Sequence, residues 1–66
     1  MSLTIRYLDL SHEDVAYLRN ALGGYEVYFN RVGNATTLTA SGDMSDMLAI
    51  LKVTSKYRHQ NFMLRQ

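Results

Sequence analysis

The sequence predicts an α+β domain: a sheet of three to four strands, antiparallel at least in part, with two helices on one of its faces. Three observations carry this. Apolar and polar residues alternate with a period of two at residues 3–7 and again across 25–40, as strands require. Two segments, opening at Ser11 and Asp43, combine a helix-capping residue with apolar residues spaced three and four apart. Between the two halves of the second alternating stretch lies Gly33-Asn34, a dipeptide suited to a two-residue hairpin turn. The predicted order is β-α-β-β-α, with a last strand left open.

The first strand rests on Leu3, Ile5 and Tyr7, which alternate with Thr4 and Arg6 and lose the pattern at Leu8. A helix over about residues 12–22 follows. Ser11 caps its first free N–H groups, and Glu13 and Asp14 set negative charge at the positive end of its dipole. Leu10 and Val15 stand at the two positions of a hydrophobic staple. Val15, Leu18 and Leu22 form the apolar face, with Ala21 beside them, and Gly23-Gly24 is expected to end the helix in a left-handed conformation.

In the hairpin, Tyr25, Val27 and Phe29 alternate with Glu26, Tyr28 and Asn30. A turn at Gly33-Asn34 sets Val32 opposite Ala35, Arg31 opposite Thr36, Phe29 opposite Leu38 and Val27 opposite Ala40. The apolar residues then share one face, so turn chemistry and hydrophobic pattern agree. The second helix is expected from Asp43, with Asp46 three residues on, to about residue 58. Met44, Met47, Leu48 and Leu51 form its predicted core stripe, widened by Ala49, Ile50 and Val53. Residues 59–66, HQNFMLRQ, fit an extension of the helix, a short strand or a frayed end, and Phe62, Met63 and Leu64 are expected to pack. A final strand would match the βαββαβ pattern of ferredoxin-like domains, an analogy of fold and not of function. An RNA-recognition version would need aromatic side chains on the third strand, and NATTLTA has none.

The chain of 66 residues has room for one domain, 1–66. A domain this short buries only about 60% of the surface its unfolded chain exposes, so its margin of stability is thin. With no cysteine, disulfides and cysteine-zinc sites are excluded as reinforcement. His12 and His59 are far apart in sequence, and neither a metal nor a cofactor is expected. Tight packing, a second copy or a partner is left to supply the difference. No apolar run approaches the roughly 20 residues of a membrane span. The N-terminal MSLTIRYLDL has no basic stretch leading into an apolar core, so no membrane association is expected and the cytoplasm is the default compartment.

The net charge of +1 names no partner, but its distribution is uneven. Residues 1–46 hold six acidic and three basic groups; residues 47–66 hold four basic groups and no acidic one.

Constellations that could support catalysis are weak. His12-Glu13-Asp14 brings an imidazole beside two carboxylates, but successive helical residues diverge by about 100° and do not converge on one point. Capping and dipole effects account for all three. Ser11, Ser41, Ser45 and Ser55 lack a nucleophile-elbow setting. Gly23-Gly24 follows a helix, whereas a phosphate loop precedes one. Ser41-Gly42-Asp43 does precede one, but Asp43 would repel an anion. The chain is therefore not expected to be an enzyme.

Two surfaces remain. The register puts Glu26, Tyr28, Asn30 and Val32 on the hairpin face opposite the core, beside Ala35, Thr37 and Thr39. Tyrosine combines large contact area with a polar tip and is enriched in protein interfaces. If the third strand lay at the sheet edge, ATTLTA would also offer a template for pairing with another chain. The second surface is Lys56-Tyr57-Arg58-His59 within the basic segment 52–65, where cations suit phosphates and rings suit unpaired bases. These define two expectations. The first is a non-enzymatic protein-binding module that occupies a partner surface, a stoichiometric inhibitor or adaptor of the kind exemplified by phage-encoded anti-defence proteins such as anti-CRISPRs, or a homodimer. The second is a small nucleic-acid-binding or regulatory domain using the basic segment.

Overall fold

The computed structural model describes residues 1–66 and contains six elements. They are β1 (Ser2–Leu8), α1 (His12–Ala21), β2 (Glu26–Val32), β3 (Ala35–Ser41), α2 (Met44–Thr54) and β4 (Asn61–Arg65). The strands form one open antiparallel sheet in the order β2-β3-β1-β4. This is the α+β arrangement the sequence predicts, with the last strand present.

Sequence parity decides which side of the sheet each residue occupies. Leu3, Ile5 and Tyr7 of β1 and Thr36, Leu38 and Ala40 of β3 are all buried. They meet Leu18 and Leu22 of the first helical segment and Met47 and Ile50 of the second in one apolar cluster. Both helices therefore cover the same face. The hairpin register is the predicted one, with Phe29 opposite Leu38 and Val27 opposite Ala40. Gly33 takes a φ of +61° and Asn34 does not take a positive value, so the glycine alone supplies the unusual conformation of the turn. Asp9 also adopts a left-handed φ of 58°. Its amide donates to the Asn34 carbonyl at 2.9 Å, and the Asn34 side chain donates to its carboxylate at 3.4 Å. The turn after β1 is thereby tied to the hairpin tip.

Both helices open with reciprocal capping. Ser11 accepts from the Asp14 amide while Asp14 accepts from the Ser11 amide, and Asp43 and Asp46 repeat the exchange. Each pair satisfies two amides that the helix itself leaves free. The residue before the second cap is constrained as well. A Cβ built on Gly42 would stand 2.9 Å from Asp46 Cβ and closer still to its carboxylate. Gly42 also exchanges hydrogen bonds with Met1, as donor at 3.0 Å and acceptor at 2.7 Å. Gly42→Ala is expected to push Asp46 out of the capping box and destabilise the fold by about 1–2 kcal/mol, the range for losing a cap. Urea unfolding checks this; if Gly42→Ala matches wild type, the close approach is not a constraint.

Several sequence expectations are corrected. Gly23 and Gly24 do not adopt positive φ. The first helix instead closes through successive tight turns, with the Gly23 amide donating to Asn20 and that of Tyr25 to Leu22. The second helix stops at Thr54, not near residue 58. Thr54 and Ser55 turn their hydroxyls back onto carbonyls of the last turn, Thr54 to Ile50 at 2.9 Å and Ser55 to Lys52 at 3.0 Å. Such local bonds compete with helix continuation. Along α2 the buried residues are Met47, Ile50 and Thr54, whereas Met44 and Leu48 are 47% and 60% exposed. The predicted stripe is thus rotated about the helix axis. Finally, β3 is an interior strand, so ATTLTA offers no free edge; the edges are β2 and β4.

Candidate functional site

The face of the sheet opposite the helices has no element over it. Glu26, Tyr28, Asn30 and Val32 project from β2 on this side, opposite Ser41, Thr39, Thr37 and Ala35. All four β2 residues are exposed, Tyr28 at 64% and Val32 at 72%. An isolated exposed apolar group is ordinary; here a tyrosine and a valine stand exposed in one row of an uncovered strand face. The Tyr28 hydroxyl lies 3.5 Å from a Glu26 carboxylate oxygen, at the outer limit of a hydrogen bond, and is otherwise free.

The surface continues beyond the hairpin. By the pairing of β1 with β3 and β4, Thr4 and Arg6 share this face with Thr39, Thr37, Met63 and Asn61. Thr4, Arg6, Thr37, Asn61 and Met63 line a shallow recess there. The face is therefore hydroxyl-rich at its centre, acidic at Glu26 on one edge, and basic at Arg6 and Arg65 toward the other. Sequence reading locates the β2 row through its parity. It misses Arg6, which joins through the pairing of β1 with β3, and Met63, which joins through the pairing of β1 with β4 across most of the chain.

The basic segment is not one surface. Lys56 Nζ sits 4.6 Å from the centre of the Tyr17 ring, and Tyr17 meets Tyr57 edge-to-face at 6.3 Å. Tyr57 packs against the core cluster, so its ring is not free to stack on a base. His59 meets Phe62 edge-to-face at 5.3 Å. Arg58 and His59 line an open depression with Leu8 and Gln60 at the end of the sheet. Of the sequence candidates, Glu26, Tyr28, Asn30 and Val32 are thus brought together. Lys56, Tyr57, Arg58 and His59 are divided between the α1 side and the sheet end.

A further basic group lies on the helix side, where His12, Arg19 and Arg31 line a recess with Val15, Phe29 and Thr36. The Arg19 guanidinium sits 5.4 Å from the centre of the Phe29 ring. The buried Thr36 hydroxyl has no hydrogen-bond partner.

No group of three or more potential ligand side chains is placed to hold a metal ion. Burial holds the Tyr7 pKa above the ordinary tyrosine value of 10.0, opposed by the Thr54 side chain and reinforced by Tyr57. Tyr7 lies in the core and not on either candidate surface. No helix is long and apolar enough to cross a membrane. No family model, curated protein or solved structure matches the chain.

Proposed function

We propose that this chain is a non-enzymatic, cytoplasmic protein-binding module that acts by laying the uncovered face of its sheet against a partner protein. The observation that carries this is the exposed β2 row, with Tyr28 and Val32 on a face that no helix or loop covers. A rigid antiparallel sheet presents such a row without an ordering cost, so contact area converts efficiently into affinity. A surface built of hydroxyls, an aromatic ring and few charges suits stoichiometric occupation of a partner, the mode of an inhibitor or adaptor. Phage anti-defence proteins of the anti-CRISPR kind are examples of that class.

Nucleic-acid binding through residues 52–65 is the competing reading, and the packing of Lys56 and Tyr57 onto the α1 side weighs against it. The two readings respond differently to mutation and salt. Affinity capture from the source cell with wild type, Tyr28→Ala and a Lys56→Ala/Arg58→Ala variant separates them. A protein partner is expected to be lost with Tyr28→Ala, by about tenfold or more in affinity if Tyr28 is a central anchor. It is expected to be retained by the double variant and to survive nuclease. Capture that depends on nucleic acid, falls steeply with salt and is lost in the double variant overturns the proposal.

A further inference from the structure

The two edges of the sheet are unlike. Edge strands template unwanted pairing unless they carry guards such as inward-pointing charges. Strand β2 has them: Arg31 projects on the helix side opposite Thr36, and Glu26 lies at its start. Strand β4, Asn-Phe-Met-Leu-Arg, has no proline, no inward charge and a single cation at its end, and all five of its residues are exposed. Phe62 and Leu64, paired with Ile5 and Leu3, lie on the helix side yet remain 48% and 38% exposed.

The second helix adds to this edge. It runs from β3 to β4 across β1. Its buried centre line passes through Met47, Ile50 and Thr54. At about 100° per residue, Met44, Leu48 and Leu51 lie on one flank, turned roughly 60–120° from that line. In a right-handed crossover this flank is on the β4 side. An apolar belt of Met44, Leu48, Phe62 and Leu64 therefore borders the open edge of the sheet.

We infer that β4 pairs antiparallel with β4 of a second copy of this chain, joining two sheets into one of eight strands about a two-fold axis at Met63. The sequence of the strand selects that partner and that register. Centred on Met63, Phe62 faces Leu64 of the other copy, Leu64 faces Phe62, and Asn61 faces Arg65. Each apolar side chain on the helix side meets an apolar one, and no two like charges oppose. A shift by one residue sets helix-side residues against outward ones, which the pleat forbids. A shift of the axis to Phe62 or Leu64 sets a glutamine opposite one of the two apolar residues. Five paired residues fall short of the roughly 800 Å² per partner of a standard interface, so the α2 flanks contribute and the dimer is of modest affinity. This rests on reading the chain as a contact module and assigns the β4 edge, at the opposite side of the sheet from the Tyr28 row on β2.

The absence of cysteine permits a register-specific test. In the paired strands the two Met63 Cα atoms are about 4.5–5.5 Å apart, within the span of a disulfide. The two Arg65 Cα atoms are about 14 Å apart, beyond it. Under mild oxidation, Met63→Cys is expected to give a covalent dimer at least about ten times faster than Arg65→Cys. Sedimentation of wild type is expected to show a concentration-dependent monomer–dimer equilibrium. Phe62→Glu, folded by circular dichroism, is expected to remain monomeric, and Tyr28→Ala to dimerise as wild type does. A wild-type protein that is monomeric to millimolar concentration, or cross-linking without preference for Met63, overturns the inference. Either result leaves the Tyr28 face untouched, whose own failure is read in partner capture.

Discussion

Tyr7→Ala is expected to remove about a third or more of the domain's stability at 25 °C. Tyr7 is fully buried near the end of β1, in one cluster with Leu3, Ile5, Leu38 and the apolar residues of both helices. Truncating a large buried aromatic costs about 3–5 kcal/mol. At typical values per residue, a chain of this size holds about 3–10 kcal/mol in all. The ring also spans the two layers: its hydroxyl donates to the Thr54 carbonyl at 3.4 Å, at the end of α2. Tyr7→Phe keeps the ring and loses that bond, so it should cost only about 1 kcal/mol. The two substitutions separate packing from hydrogen bonding at one position.

The same hydroxyl gives a signature in pH. Its pKa is raised in the folded protein, mainly by burial. The unfolded chain therefore releases this proton first as pH rises. Stability from Tyr7 is complete below about pH 10, the ordinary tyrosine value, and declines as pH climbs toward the folded value. Denaturant midpoints measured from pH 8 to 11 should fall less steeply in Tyr7→Phe than in wild type. Parallel profiles would place the titration elsewhere.

Met47→Ala is the second large effect, expected at about 2–5 kcal/mol. Met44→Ala, one turn earlier on the same helix, should cost no more than about 0.5 kcal/mol in the monomer. The contrast rests on exposure, 0% at Met47 against 47% at Met44. Chemical denaturation of the two variants at low protein concentration checks it. Equal losses would restore the stripe that the sequence suggests and contradict the helix orientation described here.

That pair of methionines also shows where sequence reasoning reached its limit. Apolar residues surround much of α2, so spacing alone does not select the face that packs. The choice is made by β1 and β3 beneath it. Strand β4 was hard to read for a related reason: Phe62-Met63-Leu64 is continuously apolar and too short to show a period. Its identity depends on pairing with β1, some sixty residues earlier in the chain at Ser2 and Arg65. Local chemistry, by contrast, was legible. Ser11 and Asp43 marked both helix starts, and Gly33-Asn34 with Phe29 and Leu38 fixed the hairpin register. The candidate face followed from that register, which is why Tyr28 was identifiable and Arg6 was not. The basic segment was misread as continuous because α2 ends at Thr54, which turns Lys56 and Tyr57 back toward Tyr17.

The central claim is that function resides in the uncovered sheet face. Backbone amide chemical-shift mapping, with the captured partner titrated into isotope-labelled protein, tests it most directly. The expected perturbations fall on Glu26, Tyr28, Asn30 and Val32 and on Thr37 and Thr39 beside them. Perturbations centred on Lys56, Arg58 and His59, with the sheet face unchanged, would contradict the account.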